Sequence, residues 1–417
     1  MAQHPRPLTV SAAPAAPATL AAPGSRERRP WLQGLAGAGL FLLTQTLIIV
    51  VARGGTHLLT SVMPQPMAYL TTALLVSATC VITVVAGYRL IVRRIGCREA
   101  PEMGGPGALR ELAAGLALGS ALICAVFAVL ALAGAYRITG VGWSEGIAVG
   151  LIFGVVGGFN EETMFRGFLQ RLIETRLGSW WALGTISVVF GLLHLTNSGA
   201  TLSGCLIIAL TAAPLLGACY LLTRRLWLAI GVHASWNFIQ GGVFGSDVSG
   251  TGMIKRGLFE ATFHGPDWLT GGHMGVEGSV VTVVVCATAA AVILLAARRR
   301  GMLLAPRWRR PAPADGDAVE RRPCDLPQIP VMGPSRSRAA RVLPFRLSRQ
   351  PEPVRPHVPA HPAIIDGVRG LQSVGRGQSI AQVDGFEPRH AARRPVAPIW
   401  DQRAAGDGEC FKRHRAA

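Results

Sequence analysis

Between residues 31 and 297 the chain returns repeatedly to runs of about 20 apolar residues, the length an α-helix needs to cross the hydrocarbon core of a bilayer. Eight such runs can be drawn, at approximately 31–52, 68–90, 109–133, 146–170, 180–197, 203–222, 226–243 and 278–297. In lipid every backbone amide must be satisfied within the segment, so runs of this length can only be helices. Half of all residues are hydrophobic, 15% are charged and the mean hydropathy is +0.37, which excludes an ordinary soluble domain. The expected fold class is therefore all-α, a polytopic transmembrane helix bundle of about eight spans.

Charge placement orients the bundle, because Lys and Arg flanking a span stay on the cytoplasmic side. Arg26, Arg28 and Arg29 precede the first run, and Arg89, Arg93, Arg94 and Arg98 follow the second. Arg171 and Arg176 follow the fourth, Arg224 and Arg225 the sixth, and Arg298 to Arg300 the eighth. All fall on one side, with single residues or small pairs (Arg53, Arg137, Lys255 with Arg256) on the other. Both termini are thus expected in the cytoplasm, and the expected location is a prokaryotic plasma membrane. The formal net charge of +18 does not point to nucleic acid: from Arg298 onward the chain carries about 23 basic and 11 acidic residues, so most of the excess is in the tail. That tail is Pro/Arg-rich with sparse aromatics, and no nucleic-acid partner is expected.

The domain reading follows from these shifts in composition. Residues 1–30 are an Ala/Pro-rich arm expected to be disordered, 31–300 form the membrane bundle, and 301–417 are expected to be a disordered cytoplasmic tail. The segment from about 244 to 277 is a Gly-rich external loop, and its His264 and His273 are read as solvated. Five of the eight cysteines (Cys80, Cys124, Cys205, Cys219, Cys286) fall in apolar runs and read as small packing residues.

Polar residues inside these runs are the chemical signal. The stretch GGFNEETMFRGF, from Gly157 to Phe168, carries Glu161, Glu162 and Arg166 directly after a fully apolar segment. Charges at such depth are costly and usually face a protein interior or a cavity. Glu162 and Arg166 are four residues apart and can pair, whereas Glu161 is turned by about 100° on a regular helix and is left free to act as a base. The fifth run places His194 four residues after Phe190, and the seventh places Asn237 four after His233.

E-E-x-x-x-R (Glu161, Glu162, Arg166), F-x-x-x-H (Phe190, His194) and H-x-x-x-N (His233, Asn237), in this order on successive membrane helices, resemble the motifs of the CPBP family. That family comprises CAAX prenyl endopeptidases and bacteriocin-processing or immunity proteins, described as intramembrane metalloproteases. The resemblance covers about 80 residues inside a core of roughly 109–243. It implies an intramembrane endopeptidase acting on a membrane-associated peptide or protein in the lipid bilayer. By the same resemblance Glu161 activates water with help from His194, His233 and Asn237 stabilise the oxyanion, and Glu162, Arg166 and Phe190 support them. The alternative is a non-proteolytic scaffold or immunity protein of the same fold.

Zinc is the candidate cofactor, with Glu161, His194 and His233 as candidate ligands. No H-E-x-x-H is present, and the reading preferred is glutamate-activated water without tightly held zinc. At 1.5 Å per residue Glu161 and His233 lie roughly 15 and 12 Å from their basic flanks, and His194 about 22 Å from Ser179. For the site to close, the fifth helix must tilt or start below the membrane surface.

Overall fold

The architecture comes from a computed structural model in which residues 28–310 are described. The N-terminal arm to residue 27 and the tail from 311, with the expectations attached to them, lie outside the described residues. Ten α-helices are present among the described residues: α1 Pro30–Thr60, α2 Gln65–Arg94, α3 Ala108–Leu132, α4 Glu145–Val156, α5 Arg171–Leu193, α6 Leu202–Leu210, α7 Ala212–Thr223, α8 Trp227–Asn237, α9 Asp267–Thr270 and α10 Val280–Arg299. Their starts follow local chemistry. Pro30 occupies the first turn of α1, where its missing N–H costs nothing, and the Thr201 and Ser279 hydroxyls accept from Gly204 and Val281 N–H to cap α6 and α10.

Among the described residues, six stretches are long and apolar enough to span a membrane, the fourth being a 52-residue run, Glu145–Thr196. Gly178, at φ 81, breaks that run, so its two arms correspond to the fourth and fifth runs of the sequence. A side chain at Gly178 would be strained in this conformation and would also meet Leu304 O and Pro306 N at 2.7 Å. The seventh run is shorter than a full span: 11 residues of α8 continue into six π-helical residues, Phe238–Val243. Rows of large apolar side chains, among them Leu42, Leu43, Ile49, Leu74, Ile82 and Val292, stand exposed on α1, α2 and α10. Such surface is stable only against lipid, and the chain is an integral membrane protein.

The helix ends sort into two faces. At one end, Arg98 pairs with Glu102 (2.7 Å), Arg224 with Glu174 (2.5 Å) and Arg225 with Glu111 (3.1 Å), and Arg171 donates to Gln33. Residues expected in the tail join this end. Leu304 exchanges hydrogen bonds with Ser179, and Arg310 donates to Glu174 O. The folded part therefore extends past the boundary drawn at 300, because Gly178 leaves room for this strand of chain. The other end carries a small antiparallel sheet of β1 Tyr136–Val141 and β2 Phe259–Phe263, running from Tyr136↔Phe263 to Val141↔Phe259. Sequence reading left both strands as loop.

α8 is the central strut. Side chains at Gly115 and Gly119 of α3 would strike the Leu228 and Val232 carbonyls, and one at Gly154 of α4 would lie 2.6 Å from Ala234 O. Small residues of this kind let membrane helices approach backbone to backbone. They hold α8 tightly between α3 and α4.

Candidate active site

Beyond α4 the helix widens into π-helical turns at Gly157–Glu161 and Thr163–Gln170, the segment that carries the paired glutamates. π-turns are rare and concentrate at functional sites. Arg166 is fully buried; it donates to Glu162 Oε1 at 2.9 Å and to Ala213 O at 2.9 Å, and its guanidinium lies 4.9 Å over the Phe190 ring. The pairing expected from the i,i+4 spacing is present.

Glu162 does more than neutralise Arg166. Its Oε1 is also 2.8 Å from His233 Nδ1, and since a carboxylate accepts, the imidazole donates there. That contact fixes the ring and turns Nε2 toward Glu161, whose Oε2 is 4.0 Å away. Glu161 keeps 27% of its side chain exposed. His233 and Asn237 share a face, as their spacing requires. A β-carbon on Gly157 would lie 2.8 Å from Asn237 Nδ2 and 2.9 Å from His233 Nε2, so both nitrogens converge on one bare patch of helix.

Phe190 is the hub between motifs. Its ring centroid is 4.9 Å from Phe165, 4.8 Å from His194 and 6.2 Å from His233. His194 begins a short 3₁₀ turn at the end of α5, and its Nδ1 is 2.7 Å from Phe190 O. A carbonyl only accepts, so Nδ1 carries the hydrogen and Nε2 keeps its lone pair. His194 thus stands one turn beyond Phe190, farther from the basic end than Arg166.

His194, His233 and Asn237 line one cavity, which Glu161 does not line. Among the described residues, no group of three His, Cys, Asp or Glu side chains is arranged to hold a metal ion. Glu161, His194 and His233 do not gather as a three-ligand zinc set. His264 bonds Thr262, and neither it nor His273 lines the cavity.

Two cavity residues escaped the sequence reading. Ser249 and Glu277 come from the long segment between α8 and α10, and the Ser249 hydroxyl donates to Glu277 Oε2 at 2.7 Å. Burial pushes the Glu277 carboxyl above the usual carboxylate range, against the Ser249 hydrogen bond and the nearby His194 and His233, which favour its ionised form. The only sequence signal was a lone carboxylate in Gly275–Gly278, directly ahead of an apolar run. Gly157 was missed as well, although the Gly157–Gly158 pair beside the glutamates hinted at a close approach.

Residues 142–239, from the end of β1 through α8, match the family model described as type II CAAX prenyl endopeptidase Rce1-like. No curated protein and no solved structure matches the chain.

Proposed function

We propose that this chain, whose residues 142–239 match the type II CAAX prenyl endopeptidase Rce1-like family model, is an intramembrane endopeptidase that hydrolyses a peptide bond of a membrane-associated peptide or protein with water activated by Glu161. The observation that carries the reading is the convergence of His233 Nε2 and Asn237 Nδ2 on the bare surface of Gly157, with the Glu161 carboxylate 4.0 Å from the same Nε2. A base beside two fixed nitrogens is what amide hydrolysis needs in a medium that supplies neither.

The chemistry runs through this chain's own side chains. Glu161 takes a proton from water while the oxygen attacks the carbonyl carbon. Glu161, Glu162 and Arg166 sum to one negative charge, so an imidazolium at His233 balances the cluster; its Nδ1–H stays on Glu162 and its Nε2–H faces the developing oxyanion. Asn237 Nδ2 is 3.4 Å from Phe153 O, a long contact that leaves it available as the second donor. On collapse of the intermediate, the proton held by Glu161 passes to the departing amine. His194, its Nδ1 anchored, offers Nε2 to hold water or substrate in place. A scaffold of the same fold would have no need of these open donors and acceptors.

The basic end of the bundle, by the rule that retains Lys and Arg inside, faces the cytoplasm in this proposal. A mixture of quenched-fluorescent peptides offered to purified protein tests the function. The wild type should cleave, and His233→Ala or Asn237→Ala should be slower by about a hundredfold or more. Chelation should leave the rate unchanged. Absence of cleavage in every condition supports the scaffold, and zinc-restorable loss on chelation replaces the metal-free scheme.

A further inference from the structure

Glu277 lies outside the matched segment 142–239, yet its carboxylate reaches the same cavity as His194, His233 and Asn237. It is held firmly. Val276 N–H donates to Ser246 Oγ, Val276 O accepts from Thr282, and the neighbouring Gly275 adopts φ 73, packed against Asp247. Ser249, which steadies one carboxylate oxygen, is itself fixed by Asn197, whose side-chain amide donates to Ser249 O at 2.7 Å. The loop is tied to the turn after α5 and to α10.

Charge makes this carboxylate unusual. No Lys or Arg pairs with Glu277 among the described residues, and around the site Glu161, Glu162 and Glu277 face a single guanidinium, Arg166. With His233 protonated the three carboxylates still outnumber two cations, and the basic groups near Glu277 are the histidines His194 and His233 and no Lys or Arg. A buried carboxylate without a cation is expensive, and a residue kept at that cost inside a membrane protein marks a functional position. The same cavity is also lined by the apolar side chains of Ile208, Leu215, Leu216 and Trp236. A side chain with an aliphatic stem and a positive head would meet both kinds of lining, the stem against the apolar side chains and the head on the acid.

We propose that Glu277, steadied by Ser249, is a specificity-determining residue that receives a lysine or arginine side chain of the peptide substrate close to the bond to be cut. The identity of the occupant as a substrate rests on the peptidase reading; the cation site itself does not.

The test separates the two. Binding of acetyl-Leu-Leu-Lys-Leu-Leu-amide and of its norleucine analogue is measured by calorimetry in detergent on Glu161→Gln protein, which cannot turn the peptide over. The lysine peptide should bind at least tenfold tighter, and adding Glu277→Gln should abolish the difference. Glu277→Asp, which withdraws the carboxylate by one methylene, should reduce it, and serves as the decisive variant if Glu277→Gln fails to fold. Equal binding of the two peptides to Glu161→Gln protein, or discrimination that survives Glu277→Gln, overturns the proposal. Parallel cleavage assays with Glu161 intact report on the peptidase reading alone. Lysine discrimination without any cleavage keeps the cation site and removes the protease.

Discussion

The basic end of the bundle and the cavity at its centre are built from the same residue types, and they differ in how charge is balanced. At the end, each buried or half-buried acid has its own arginine: Glu102 with Arg98, Glu174 with Arg224, Glu111 with Arg225. At the centre, among the described residues, Glu162 is shared between Arg166 and His233, Glu161 has His233 at 4.0 Å, and Glu277 takes a hydrogen bond from Ser249 with His194 and His233 nearby. Among the described residues, Glu162 Oε2 and Arg166 Nε are buried with no hydrogen-bond partner. Pairing that is complete holds helices together. Pairing left incomplete, where burial makes it costly, leaves groups free for a proton or a substrate.

The sharpest way to break the comparison is to remove one cation from each region. Arg166→Ala strands a buried Glu162 and should cost about 3–5 kcal/mol, read as a large drop in melting temperature in detergent. Arg93→Ala, which loses an exposed pair with Glu99, should cost less than about 1 kcal/mol. Similar losses at the two sites would show that the central pair is not buried in the membrane protein as it stands.

A smaller effect is expected from Gly157→Ala. Its methyl group would intrude within 3 Å of the two converging nitrogens, and cleavage should fall by roughly a hundredfold through misplacement alone. Gly54→Ala on α1, where a β-carbon meets nothing within 4 Å, should leave the rate unchanged. Equal tolerance at both glycines would mean that the His233–Asn237 face is not where the reaction happens.

The smallest effect concerns Glu277. Its carboxyl titrates higher in the folded than in the unfolded chain, so the folded state holds the proton longer and stability declines as pH rises from the ordinary carboxylate value through the folded one. Glu277→Gln removes that decline. It should melt slightly above wild type at pH 8, with the gap closing toward pH 4; a variant less stable at pH 8 would show that the ionised carboxylate is already paired.

The helical membrane fold was legible because lipid leaves few alternatives to long apolar helices, and the candidate site residues beyond α4, at the end of α5 and on α8 stand out in the sequence as charges and histidines in apolar runs. Spacing alone correctly paired Glu162 with Arg166. It could not show that Glu162 also grips His233, since that contact joins positions 71 apart in sequence. The π-turns around Glu161 and Glu162 were hidden too, because a widened helix has no residue code of its own. Glu277 and Ser249 were lost for a different reason: in a polar loop a carboxylate is unremarkable, and only the fold reveals that the loop dips into the cavity. The docking of Met302–Arg310 was likewise invisible, as it depends on the room that Gly178 leaves.

One measurement bears most directly on Glu161 as the base. Cleavage of a peptide substrate is compared between wild type and Glu161→Gln at matched occupancy, with binding and melting temperature recorded for both. The account predicts unchanged binding, unchanged melting and a rate reduced by about a thousandfold, because glutamine keeps the shape and loses only the proton affinity. Cleavage by Glu161→Gln within tenfold of wild type would contradict it.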